Sequence, residues 1–118
     1  MDELVDRLVA STGVDRAVAE KAVGIILAFL LKEGPSDKVQ ALINQMPGAE
    51  AAMQATASEG GFGMGGIMGV GTKLMAAGLG MDQMQGVTRE IIAYARDKLG
   101  EDTVGEIVGS IPGLGQFV

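Results

Sequence analysis

The stretch Ile26-Leu27-Ala28-Phe29 recurs 65 residues later, without a gap, as Ile91-Ile92-Ala93-Tyr94. At the same offset Met46-Pro47-Gly48 matches Ile111-Pro112-Gly113. The matched positions are apolar residues at helical spacing and Pro-Gly pairs of the kind that end helices. The sequence therefore predicts one helical unit that occurs twice in the chain.

Other positions agree in the same register, and they are again caps and apolar positions. The further pairs are Val5 with Val70, Gly13-Val14 with Gly78-Leu79, Asp37 with Asp102, Val39 with Val104, and Leu42-Ile43 with Ile107-Val108. We take residues 2–48 as repeat one and residues 69–114 as repeat two. Each repeat is predicted to contain three helices.

In repeat one, the spacing predicts a short amphipathic helix over residues 2–11, ended by Gly13 in a left-handed cap. Asp15 is predicted to cap a second helix that runs to about Glu33. Its segment 23–31 is apolar on every side, which is typical of a central helix. After Gly34-Pro35-Ser36, a third helix of about ten residues is expected.

In repeat two, we expect helix five to begin within residues 60–71 and to end near Ala77, with Gly78 as its cap. Asp82 is predicted to cap helix six, and Gln85 three residues later completes the pattern of a capping box. Gly100 should end helix six. Helix seven is expected from about Asp102 to Ser110.

Helix six is predicted to be amphipathic, unlike helix two. Its buried face should hold Met84, Val87, Ile91 and Ala95, whereas Arg89, Glu90, Arg96 and Asp97 should face water.

Residues 49–68 separate the repeats. Residues 49–57 are rich in Ala and predict a short, weakly anchored fourth helix. Residues 60–71 hold seven Gly among twelve positions and predict a linker that is partly flexible. Its pattern G-x-G-x-x-G at residues 61–66 follows no strand, so we interpret it as linker rather than as a dinucleotide site.

Each repeat has only about 50 residues, and a unit of that size is marginal by itself. We therefore predict a single domain over residues 1–118. Its fold class is all-α, with about seven helices and two pseudo-symmetric three-helix repeats packed as one bundle.

Composition restricts the chemistry. The chain of 118 residues has no Cys and no His, so it lacks thiol nucleophiles, the imidazole base and the commonest zinc ligands. Two groups of acidic residues lie on or near first helical turns, where the helix dipole accounts for them: Asp2, Glu3 and Asp6, and Glu101, Asp102 and Glu106. We predict no catalytic residue, no cofactor and no metal site, and no enzyme activity.

Charge and hydropathy restrict the partners and the location. The net charge is −6 and the nine basic residues are scattered, so we predict no nucleic-acid binding. The uncharged stretches 22–31 and 60–72 are shorter than the roughly 20 residues of a membrane span. The acidic N-terminus does not resemble a signal peptide, and a cytoplasmic location is the expectation.

Two features suggest an interaction surface. Gly65 with Gly69, and Gly105 with Gly109, are spaced for close helix approach, either inside the protein or at a homodimer contact. Methionine-rich surfaces adapt to partners of varied shape, although the same side chains can equally be core. The candidate interaction surface consists of Phe62, Met64, Met68 and Met75.

Residues 99–114, preceded by Ala77-Gly78-Leu79, resemble the small bacterial helical family of unknown function called VcgC/VcgE. Repeat one looks like the same kind of unit, with Val14 after Gly13 and Gln45-Met46-Pro47-Gly48 at its close. The resemblance covers roughly residues 4–48 and 69–114. It implies an all-helical fold and supplies no catalytic residue.

Two hypotheses of function follow. The first is a non-enzymatic protein-interaction module that self-associates as a homodimer or other homo-oligomer, or binds another protein. The alternative is a carrier of an apolar ligand such as a lipid or fatty acid, because two helical units joined by a flexible linker can open around an acyl chain.

Overall fold

A computed structural model describes residues 2–57, 66–111 and 115. Every regular element in this part of the chain is an α-helix, which confirms the predicted all-α class. The helices are α1 (Asp2–Thr12), α2 (Arg16–Glu33), α3 (Ser36–Asn44), α4 (Ala49–Ala57), α5 (Gly66–Ala76), α6 (Met81–Leu99) and α7 (Glu101–Ser110).

The helix bounds follow the 65-residue offset. Adding 65 to the bounds of α2 gives 81–98, and α6 spans Met81–Leu99. The same addition to α3 gives 101–109, and α7 spans Glu101–Ser110. The counterpart of α4 would begin at residue 114, beside which only Gly115 is described. Packing of the two repeats about a pseudo-two-fold axis stays a prediction.

Helix α2 is the central helix, as its apolar sequence predicts. Nine of its residues are buried, from Ala19 to Leu30, because α1, α3, α4, α5 and α6 all pack against it. Leu27 is fully buried and Leu30 nearly so. The core thus forms around α2, whose segment 23–31 is apolar on every side.

Helix α4 is anchored more firmly than its composition predicts. Among the helix pairs in the described residues, α2 and α4 make the most extensive contact. Gly48 introduces it with φ 91°, and Ala49 is completely buried. Small Ala side chains allow two helices to approach closely, and α4 contacts α2 more extensively than its sequence predicts.

The first helix of the chain packs against α6 of the second repeat as well as against α2. Gly86 makes this approach close, since a Cβ atom there would lie 2.9 Å from Cγ2 of Thr12. At the same end, the side chain of Gln83 donates a 3.4 Å hydrogen bond to the carbonyl oxygen of Thr12. Helices of the two repeats therefore contact each other.

The predicted glycine caps are confirmed. Gly13 after α1 has φ 73° and Gly78 after α5 has φ 109°, both in the left-handed region that glycine adopts without strain. These two residues are 65 positions apart, so the repeat preserves a backbone requirement as well as an apolar pattern.

The N-terminal caps agree with the predictions only in part. Asp15 is the cap residue of α2, as predicted, but its side chain makes no capping hydrogen bond. Helix α3 begins at Ser36 with Pro35 in the cap position. The cap residue of α6 is Gly80, two residues before the predicted cap Asp82, because buried Leu79 bonds back to the carbonyl of Leu74 and the chain re-enters a helix at once.

Candidate functional site

The structure places only part of the predicted interaction surface. Phe62 and Met64 lie outside the described residues. Met68 belongs to α5, but its side chain is outside the described part. Met75 lies in the last turn of α5 with 59% of its surface exposed, so the structure places this residue at the surface.

The turn that follows Met75 is well defined. The amide of Leu79 donates to the carbonyl oxygen of Leu74 at 3.1 Å, and left-handed Gly78 completes this helix end. The amide of Gly80 then donates to Oε1 of Gln83 at 3.0 Å, which satisfies one free N–H at the start of α6. The two ends of the turn are therefore held by specific hydrogen bonds.

Met81, the first residue of α6, is 73% exposed and was missed by the sequence analysis. The sequence does contain a sign of this helix start. Gln83 lies three residues after Gly80, which is the spacing of a capping box, just as Gln85 lies three residues after Asp82. We use the name methionine corner for residues 74–81, which join α5 to α6 and contain no charged side chain. Met75 and Met81 are the large apolar residues that are exposed within the described part of the chain.

The solvent face of α6 continues from this corner. Asp82, Gln85, Arg89 and Arg96 are exposed along it, whereas Val87 and the other core residues of α6 lie on the opposite side. This confirms the predicted amphipathic character of α6. Met84, predicted as buried, is half-buried, and Glu90, predicted to face water, is half-buried too.

Glu90 is half-buried because it meets Arg7 of α1. Nε of Arg7 lies 3.4 Å from Oε2 of Glu90, and Nη1 lies 3.3 Å from Oδ2 of Asp97. The Arg7 guanidinium also lies 5.9 Å from the ring centre of Tyr94, and Lys98 approaches that ring to 5.3 Å. The contacts of Arg7 bind α1 to the side of α6, whereas Asp82 and Arg89 are exposed on another side of the helix.

Tyr94 shows no geometry of a reactive phenol. Only 3% of the residue is exposed, and its ring forms part of the packed core between the two cations. The acidic residues Asp37 and Asp102, which the 65-residue offset pairs, are exposed in the first turns of α3 and α7. Within the described ranges, no three acidic residues lie close enough to hold a metal ion.

The glycine pairs divide into two cases. Gly65 lies outside the described residues, and Gly69 is buried. Gly105 and Gly109 are exposed on α7, and a Cβ atom added at either would meet no heavy atom within 4 Å. The interpretation as close packing inside the protein was therefore wrong for this pair.

We expect Gly105→Ala and Gly109→Ala each to raise the free energy of unfolding by about 0.8 kcal/mol. Ala is the better helix former by roughly this amount, and the space around both positions is open. Urea unfolding followed by circular dichroism measures the effect. A loss of stability would show that the face of α7 is packed in solution.

Sedimentation of the same variants tests the homodimer contact, because added methyl groups would weaken a close contact between two copies.

The described residues therefore define an all-α protein in which the methionine corner is exposed. Comparisons of the chain with protein-family models, curated proteins and solved structures give no match. Among the described helices, none is both long enough and apolar enough to cross a membrane.

Proposed function

We propose that this protein is a non-enzymatic helical interaction module that self-associates through the methionine corner. The observation that carries the proposal is the exposure of Met75 and Met81 at the two ends of one uncharged turn. Methionine is enriched at protein interfaces, and its flexible thioether fits an apolar partner surface without a fixed shape.

The electrostatics of the corner support association between copies. The chain carries a net charge of −6, which opposes the approach of two copies in general. Residues 74–81 have no charge, so contact there avoids the cost of removing charged groups from water. Contact at this corner is therefore less costly than contact at most of the acidic surface.

The proposal includes three further expectations. The lack of His and Cys supports a role without catalysis. A cytoplasmic location is part of the proposal. Residues 99–114 and their relation to residues 4–48 support membership of the bacterial VcgC/VcgE-like family.

Native mass spectrometry and sedimentation velocity over a range of concentrations test the proposal. We expect a concentration-dependent oligomer that weakens strongly in the double variant Met75→Gln, Met81→Gln, because glutamine keeps the length of methionine and removes its apolar end. The matched control is Gln54→Met, which adds an exposed methionine on α4 and should leave association unchanged.

Two results would contradict the proposal. One is a monomer at every concentration. The other is a monomer that carries an apolar small molecule through gentle purification, which would favour the carrier of a lipid or fatty acid. Native mass spectrometry separates these results because it reports stoichiometry and bound mass together.

A further inference from the structure

We propose that two copies of this chain pair through the solvent faces of α6, antiparallel about a two-fold axis near Gln85. In this pairing, Asp82 of each copy lies beside Arg89 of the other. The inference rests on the proposed function and adds the partner, the helix and the orientation to it.

The α6 face is free to receive a partner. Asp82, Gln85 and Arg89 are exposed, and neither Asp82 nor Arg89 forms an ion pair or side-chain hydrogen bond with the described residues. The neighbouring acids Glu90 and Asp97 both contact Arg7 of α1 and belong to a different side of the helix. Within the part of the chain that the structure describes, one helix face thus carries an acid and a base that have no partner.

Their spacing makes the face self-complementary. Seven residues separate Asp82 from Arg89, which is two helical turns, so the two side chains share a face at about 10.5 Å along the axis. A two-fold axis across the helix, near Gln85, brings Asp82 next to Arg89 of the second copy, and the reverse contact follows by symmetry. A two-fold axis parallel to the helix would instead place Asp82 next to Asp82. The charges therefore select the antiparallel arrangement.

The apolar residues fit the same arrangement. Met81 is the first residue of α6, next to Asp82, so in an antiparallel pair it lies level with Arg89 of the second copy. Its thioether can cover the methylene stem of that arginine. The 73% exposure of Met81 would then fall on association, and Met81 of each copy would lie at one end of the interface.

Charge exchange tests this pairing. Sedimentation equilibrium at about 100 µM suits a single-helix contact, because interfaces of small buried area are weak. We expect Asp82→Arg and Arg89→Asp each to raise the dimer dissociation constant by about tenfold or more, since each creates two like-charge contacts. The double variant restores both ion pairs and should return the constant to within about threefold of the wild type. Glu20→Arg, which makes the same change of charge as Asp82→Arg at an exposed position of α2, is the control and should have little effect.

Disulfide trapping gives an independent measurement, because the wild-type chain has no Cys. Gln85→Cys places a thiol next to the proposed axis, where two Cα atoms can approach within the roughly 7 Å that a disulfide needs. Under mild oxidation, we expect this variant to form a covalent dimer faster than Gln54→Cys on α4. Circular dichroism confirms that each variant stays folded.

The outcomes separate the two proposals. A wild-type dimer whose single charge variants bind normally, or whose double variant is not restored, overturns this geometry and leaves self-association standing. Equal trapping of the two cysteine variants also overturns it. A wild-type chain that stays monomeric overturns the proposed self-association itself.

Discussion

Replacing Leu27 with Ala should lower the free energy of unfolding by about 3 kcal/mol and should destabilise both repeats together. Leu27 is fully buried in α2, and removal of a large buried side chain leaves a cavity as well as losing its transfer free energy. Because α2 contacts helices of both repeats, the loss should spread through the whole described core.

The chain provides two probes for this experiment. Far-ultraviolet circular dichroism reports all the helices, whereas fluorescence of Tyr94, the single tyrosine in a protein without Trp, reports the second repeat. We expect both denaturant midpoints to fall by the same amount in Leu27→Ala. Leu31→Ala, on the same helix but only half-buried, is the control and should cost less. A Tyr94 transition that does not move would contradict the single-domain prediction.

The second large effect is expected at Gly34, where α2 ends. A Cβ atom there would lie 2.8 Å from the carbonyl oxygen of Leu30 and 3.2 Å from Cδ1 of Ile111. The backbone has φ −98°, which Ala adopts freely, so the cost of Gly34→Ala is steric. We expect a loss of about 2 kcal/mol, the usual size for overpacking.

A second substitution separates the two clashes. Ile111→Val removes Cδ1 and should recover part of the loss caused by Gly34→Ala, whereas the clash with the backbone oxygen remains. The readout is a double-mutant cycle from urea unfolding. Gly105→Ala is the control for replacing glycine by alanine, because the added methyl group there has open space and should stabilise the protein. Equal effects at both glycines would show that α2 can shift to accept the methyl group.

Much of the helix pattern was predictable because it depends on local chemistry. Apolar spacing and left-handed glycines act within a few residues, and they located α2, α6 and the ends at Gly13 and Gly78. The start of α6 was predicted two residues late, with Asp82 instead of Gly80 as the cap, because burial of Leu79 decides where the chain turns. That burial depends on the packed core and not on residues 79–85 alone.

Long-range contacts were less predictable. The Ala-rich sequence of α4 has no strong apolar stripe, so its close contact with α2 leaves no periodic signal. The four-residue spacing of Gly105 and Gly109 is the same whether the glycines face a neighbour or solvent. For the candidate surface, the sequence identified Met75, but Met81 follows from the observed start of α6.

The contact between α1 and α6 has a consequence for folding during synthesis. The ion pair from Arg7 to Asp97 joins residues 90 positions apart. After Thr12 is added, another 87 residues (99 − 12) must follow before α6 is complete at Leu99. At about 5 to 20 residues per second, this takes roughly 4 to 17 seconds. During that interval the nascent first helix lacks its partner in the second repeat, and the ribosome holds a chain whose opening segment cannot yet complete its packing.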